Sequence, residues 1–159
     1  MYSFGMMVEN IKEQAAIADK VANGDFSVAV VPKSDQDILT ISLKNMVESL
    51  RSLVSEAGML TKAAVEGKLD TRGNAESFNG GYKEIVVGVN QTLDAVIGPL
   101  NVAAEYIERI SRGDIPNKIT DTYYGDFNEI KNNLNICIDA MNALVADANV
   151  LTVAAKEGR

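Results

Sequence analysis

The feature that most constrains this chain is a glycine that recurs every 43 to 46 residues, each time at the end of an apolar helical pattern. The glycines are Gly24, Gly67, Gly113 and Gly158. Glycine commonly ends a helix because it adopts a left-handed backbone conformation without steric cost. A repeat of this length predicts an array of small helical units that stack on one another, not one domain with a single core.

The segments that follow these glycines are also similar to one another. Nine positions between residues 80 and 95 match identical or similar residues 45 positions later, between 125 and 140, and Asn90 thereby matches Asn135. Matches at this many positions exceed chance. We therefore expect the second and third units to share one structure, and the first unit to follow the same plan.

Between the glycines, apolar residues are spaced alternately three and four apart, which is typical of helices that pack along a narrow seam. The aromatic content is only 6% and there is no Trp, which favours helix packing over a sheet-based core. The pattern predicts four helices and an all-α fold. The residues expected on the seam are Leu43, Met46, Leu50, Leu53, Leu93, Val96, Leu100, Ile107, Ile110, Leu134, Cys137 and Met141.

The connectors between the predicted helices are about 13 to 15 residues long, whereas antiparallel bundles usually need about 2 to 8. Such connectors can run back along a helix, so that consecutive helices lie parallel. A second copy of the chain would then complete each layer. The predicted fold is a homodimer of stacked parallel four-helix coiled-coil bundles, with two helices per chain per layer. The expected connector anchors are Phe26, Val30, Leu69, Ile115 and Ile119.

Composition excludes several classes of function. The chain has 15 basic and 22 acidic residues, a net charge of -7 and no basic patch, so nucleic acid is not an expected partner. The absence of His removes the commonest general base and zinc ligand, and Cys137 has no base beside it. We expect no catalytic residues, no cofactor and no metal site. The pair Gly80-Gly81 lacks the Lys-Ser or Lys-Thr of a phosphate loop.

The chain lacks the roughly 18 to 20 uninterrupted apolar residues of a typical membrane span. We therefore expect this piece to be soluble, without direct membrane contact. It ends within a pattern that the earlier repeats continue, which indicates a fragment of a longer protein. The parent protein can still be a membrane receptor.

One segment resembles a known family. Ile97-Gly98-Pro99-Leu100, the seam as far as Ile110, Gly113-Asp114-Ile115 and Gly125-Asp126-Phe127 resemble the HAMP domain. This linker module is shared by histidine kinases, adenylyl cyclases, methyl-accepting chemotaxis proteins and phosphatases. In that family a first helix often opens with Pro and ends at Gly, and an anchored connector leads to a parallel second helix.

The resemblance implies three tandem units, at 8–53, 54–97 and 98–145, and a truncated further first helix at 146–159. Pro99 would lie at the junction of two units, where it should bend or loosen the helix. Two departures from the family pattern stand out. Gly73 occupies the position of the second anchor, and Ser34-Asp35-Gln36-Asp37-Ile38 replaces the usual acidic-apolar-glycine helix start.

The function implied by the resemblance is signal relay. The chain would transmit conformational change from an upstream sensor to a downstream kinase-control segment, within the cytoplasmic portion of an inner-membrane receptor. A chemoreceptor is the first choice of parent and a sensor kinase the second. Small residues on the seam, such as Ala15, Ala57, Ala103 and Ala148, favour a relay because they permit two nearly equal packings. The alternatives are a passive dimerising coiled-coil spacer and a generic helical ligand-binding bundle.

Overall fold

A computed structural model describes residues 2–158, with side chains described from Phe4 onwards. It contains α1 (Tyr2–Ala22), α2 (Ile38–Val65), α3 (Gly80–Ser111) and α4 (Gly125–Lys156). A short 3-10 turn, Ala75–Ser77, lies in the second connector, and residues 2–158 contain no strand. The prediction of an all-α fold with four helices is confirmed. Arg159, the last residue of the predicted further helix, lies outside the described residues.

The recurring glycine ends each helix through its backbone conformation. Gly24, Gly67 and Gly113 have φ values of 82°, 74° and 79°, in the left-handed region that other residues rarely adopt. After Gly113 the Asp114 N–H donates to the Arg109 carbonyl at 3.0 Å, which is the six-residue bond of a Schellman motif. The repeated glycine therefore sets where each connector begins.

The chain divides into two compact units, residues 1–92 and 93–159, and the division falls inside α3. Most buried side chains come from connectors or from the helix faces nearest to them. In residues 1–92 the buried hydrophobic side chains are those of Val30, Val47, Ala63, Phe78 and Val86. In residues 93–159 they are those of Ile97, Ile119 and Ile138. The most deeply buried are Val47 and Ile138, with exposed fractions of 2% and 1%.

The residues predicted to form the helix-packing seam are not buried in the single chain. Each of these twelve residues is half-buried or exposed; Val96 and Leu100 are both 42% exposed, and Ile107 is 59% exposed. Large side chains in a folded soluble protein do not usually form a long exposed stripe. The single chain therefore keeps an apolar face without a covering partner.

Two of the helices are also long and apolar enough to cross a membrane, by length and composition alone. These helices are α3 and α4. Neither is an uninterrupted apolar run, because Asn90 and Asp94 lie within α3, and Asn135 and Asp139 lie within α4.

Replacing Gly113 by Ala tests the role of the helix-ending glycine. We expect a loss of about 1–2 kcal/mol in the free energy of unfolding, because a Cβ is unfavourable at positive φ. The matched control is Gly58→Ala, inside α2, where an added Cβ meets nothing within 4 Å. The control should be more stable by about 0.5–1 kcal/mol. Chemical denaturation followed by circular dichroism measures both, and equal effects would contradict this account.

Candidate functional site

An amide side chain on α4 makes two hydrogen bonds to the third connector, residues 112–124. Asn135 Nδ2 donates to the Ile119 carbonyl at 3.0 Å, and the Ile119 N–H donates to Asn135 Oδ1 at 2.8 Å. An amide side chain both donates and accepts, so it satisfies both backbone groups of one residue, as a neighbouring strand would. Asn135 therefore fixes Ile119 at one height on α4.

The second connector, residues 66–79, is held in the same way. Asn90 Nδ2 donates to the Gly73 carbonyl at 2.8 Å, and the Gly73 N–H donates to Asn90 Oδ1 at 2.8 Å. We call these two-point bonds the asparagine clamps. The repeat alignment pairs Asn90 with Asn135 but does not reveal their role. The sequence signal for this role is that Asn is the eleventh residue of both α3 and α4.

The space around each clamp explains the residue that it holds. Ile119 is 6% exposed and shares with Pro99, Ala103 and Phe127 a residual cavity of only about 10 Å³. A Cβ added at Gly73 would lie 2.8 Å from Val86 Cγ1, closer than real side chains approach. The second connector therefore runs too close to α3 for an apolar anchor at this position.

Glu56 adds a further contact to the second connector, since its Oε1 accepts a hydrogen bond from the Asn74 N–H. The buried apolar side chain of this connector is Phe78, which is 6% exposed, whereas Leu69 is 40% exposed. The Thr71 N–H donates to the Lys68 carbonyl at 3.3 Å, so a turn encloses Leu69. The distance in sequence from the preceding glycine does not predict that Phe78 is the buried residue. A side chain at Gly73 would clash with Val86, and the buried apolar residue lies five positions further along the chain.

The other predicted anchors are placed as follows. Val30 is 9% exposed and Ile119 6% exposed, and both are classed as buried, whereas Phe26 and Ile115 are half-buried. Pro99 lies inside α3 and is also half-buried. Its ring leaves the helix one backbone donor short.

The first connector, residues 23–37, is held by a cation. Arg51 donates to the Phe26 carbonyl from Nε at 3.0 Å and from Nη2 at 2.6 Å, and Nη2 reaches the Val28 carbonyl at 3.4 Å. Lys44 lies three residues before the buried Val47, as Asn135 lies three before Ile138. Lysine has no acceptor, so it cannot form the asparagine clamp.

Ionised carboxylates lie at the ends of the first and third connectors. The hydrogen bond from Arg109, at 2.7 Å, lowers the pKa of Asp114 below its ordinary value of 3.8 and raises the pKa of Arg109. Hydrogen bonds from the Ser27 hydroxyl and N–H lower the pKa of Asp25. Hydrogen bonds from the Lys33 N–H and from Thr40 lower the pKa of Asp37, which caps α2. These groups are charged at neutral pH.

Residues 77–143 match the HAMP domain family. The matched segment contains α3, the third connector with its Asn135 clamp, and the first part of α4. A HAMP domain is therefore found in this chain, which confirms the resemblance seen in the predicted third unit. HAMP domains occur in membrane receptors, and their presence implies signal transduction.

Replacing Asn135 by Asp tests the clamp with almost no change of shape. The variant loses the Nδ2 donor and places a carboxylate against the Ile119 carbonyl. We expect a loss of about 1–3 kcal/mol in the free energy of unfolding. Asn132→Asp, at an exposed position on the same helix, is the matched control and should change stability by less than about 0.5 kcal/mol. Equal effects in chemical denaturation would mean that the clamp contributes nothing.

The lowered pKa of Asp37 predicts acid sensitivity of the α2 cap. A carboxyl whose pKa is lowered by folding contributes stability above its unfolded pKa of 3.8, and this contribution is lost as the pH falls through the folded pKa. The Asp37→Asn variant should therefore show a flatter decline of melting temperature below about pH 4 than the parent. Asp35→Asn, two residues away and exposed, is the control. Parallel pH profiles for the parent and Asp37→Asn would contradict the assignment.

Proposed function

We propose that this chain is a non-catalytic signal-relay module of a transmembrane chemoreceptor or sensor kinase, with neither a cofactor nor a metal site. It would pass conformational change from an upstream sensor to a downstream kinase-control domain. One observation carries the proposal: the segment that matches the HAMP domain contains two helices and a clamped connector, and leaves its apolar seam exposed. A chemoreceptor is our first choice of parent.

The same plan extends over the rest of the chain in this proposal. The first two units would be 8–53 and 54–97, the third 98–145, and 146–159 would begin a further one. Support comes from the Asn90 clamp in the second connector and from Gly158, which ends α4 at a φ of 73°. Exposed Leu151, at 70%, would then lie on the seam of the next unit.

The proposed partner is a second copy of the chain. Seam residues on α2, α3 and α4 are half-buried or exposed, so they need a covering surface with the same pattern and length. An identical chain related by a two-fold axis along the bundle supplies that surface. Each layer would then be a parallel four-helix bundle with the connectors on its outside. A partner of this kind buries the seam without disturbing the asparagine clamps.

A relay fits the seam better than a passive spacer does. A rigid coiled coil is best built from large residues that fill every layer. Here the small residue Ala103 is half-buried beside Ile119. Pro99, four residues before Ala103 in α3, has no N–H and so removes one helix hydrogen bond. A small residue and a weakened helix lower the cost of moving between two packings, which is the property a switching element needs.

We place the chain in the cytoplasmic portion of an inner-membrane receptor, without direct membrane contact. Asn90 and Asn135 lie ten residues inside α3 and α4, and each binds connector backbone. If either helix crossed a bilayer, its connector would lie in or near hydrocarbon, where unpaired backbone groups are costly. A net charge of -7 without a basic patch also disfavours nucleic acid as a partner.

The dimer is tested by light scattering and by spin-label distances at Cys137, the single cysteine. We expect twice the chain mass and short distances between the two labels, because the same residue from both copies meets on a parallel seam. A monomer, or a dimer with widely separated labels, would contradict the parallel bundle. Spin labels attached at Asn132→Cys in a Cys137→Ser background provide an outward-facing control, and their distances should be longer.

The relay is tested in the receptor that contains this chain, by replacing Ala103 with Leu. The added volume cannot fit the cavity of about 10 Å³ beside Ala103, so the balance between the two packings should change. We expect kinase output to become largely insensitive to stimulus. Ala104→Leu, at an exposed neighbouring position, should leave the response close to normal. A normal response in Ala103→Leu would favour the passive spacer.

A further inference from the structure

We infer that the first connector, residues 23–37, is a releasable strap whose attachment to the helices depends on two exposed cations, Arg51 and Lys33. Exposed cations also attach the other two connectors, as in the ion pairs Lys83–Glu76 and Lys118–Asp139, but those connectors have asparagine clamps as well. The inference deepens the proposed relay, from which it takes its signalling meaning. In this inference the first connector, in the proposed unit 8–53, can detach from the helices while the second and third connectors remain bound.

The two cations attach the strap to different helices. Arg51 extends from α2 to the carbonyls of Phe26 and Val28. Lys33 is part of the strap, and its Nζ contacts Asn10 and Glu13 on α1, with 2.9 Å to Glu13 Oε2. The strap therefore links α1 with α2 through charged groups.

These attachments are weaker in kind than an asparagine clamp. The Lys33 and Glu13 side chains are 56% and 64% exposed, so water and salt screen their attraction. A guanidinium only donates, so Arg51 binds carbonyls and leaves the N–H groups of the same residues to other partners. Asn135, by contrast, is half-buried and binds both backbone groups of one residue.

Packing under the strap is also looser than under the third connector. A cleft of about 210 Å³ lies among Val28, Val30, Lys44, Val47 and Arg51, whereas the cavity beside Ile119 is about 10 Å³. A cleft also adjoins Phe78 in the second connector, so the clamp, and not the packing, distinguishes that connector from the strap. Val31, next to the buried Val30, is 76% exposed. The strap therefore has one buried apolar anchor and open space beside it, so less apolar contact opposes its release.

Limited proteolysis of the full chain with a protease of low sequence specificity, with the fragments identified by mass spectrometry, tests the strap without any sensor or kinase, because cleavage requires the segment to leave the helices. In the parent, cleavage within residues 28–33 should be faster than cleavage within residues 116–122. Arg51→Gln should accelerate cleavage within 28–33 roughly tenfold, because hydrogen bonds to a charged donor are lost. Lys33→Gln should accelerate it by a smaller factor. Cleavage within 116–122 should be unchanged in both variants.

The control is Lys12→Gln, an exposed lysine on α1 beside Glu13, which should leave cleavage within 28–33 unchanged. The helical circular dichroism of each variant shows whether it is folded. If Arg51→Gln is not folded, Lys33→Gln still tests the strap. Equal cleavage of the first and third connectors in the parent, or no acceleration in a folded Arg51→Gln, would overturn the inference. Either result would leave the relay proposal standing, because that proposal is tested by kinase output.

Discussion

The structure depends on how an extended segment of backbone is held against helices. A connector of 13 to 15 residues has no neighbouring strand, so its N–H and C=O groups need other partners wherever it approaches the bundle. In two connectors one asparagine supplies both partners at a single residue, Gly73 or Ile119. This bond holds one residue of a long connector at a defined height on the helix that follows it.

Burial distinguishes two faces of the helices. Val47 and Val86, which face connector residues, are 2% exposed, whereas the seam residues are half-buried or exposed. One face is therefore completed within the chain, and the other stays accessible. Different side chains line the two faces.

The three connectors are held against the helices in three different ways. The third uses a large buried anchor, Ile119, in a tight space. The second places the bare backbone of Gly73 against Val86 and buries Phe78 further along. The first relies on Arg51 and leaves a cleft beside Val30. Connectors of similar length can thus differ in the groups that hold them against the helices.

The sequence by itself determined the four helices, their ends and the connector lengths. These features depend on local properties, namely the positive φ that Gly24, Gly67 and Gly113 tolerate and the spacing of apolar residues along one helix. Only the tertiary structure decided that Asn90, Asn135 and Arg51 hold the connectors, and that Phe78 is buried. Those roles depend on contacts between residues 16 to 25 positions apart, or on a close approach such as that at Gly73. A pattern of residue types does not encode which side chain reaches which carbonyl, because that requires the helices and connectors to be in place first.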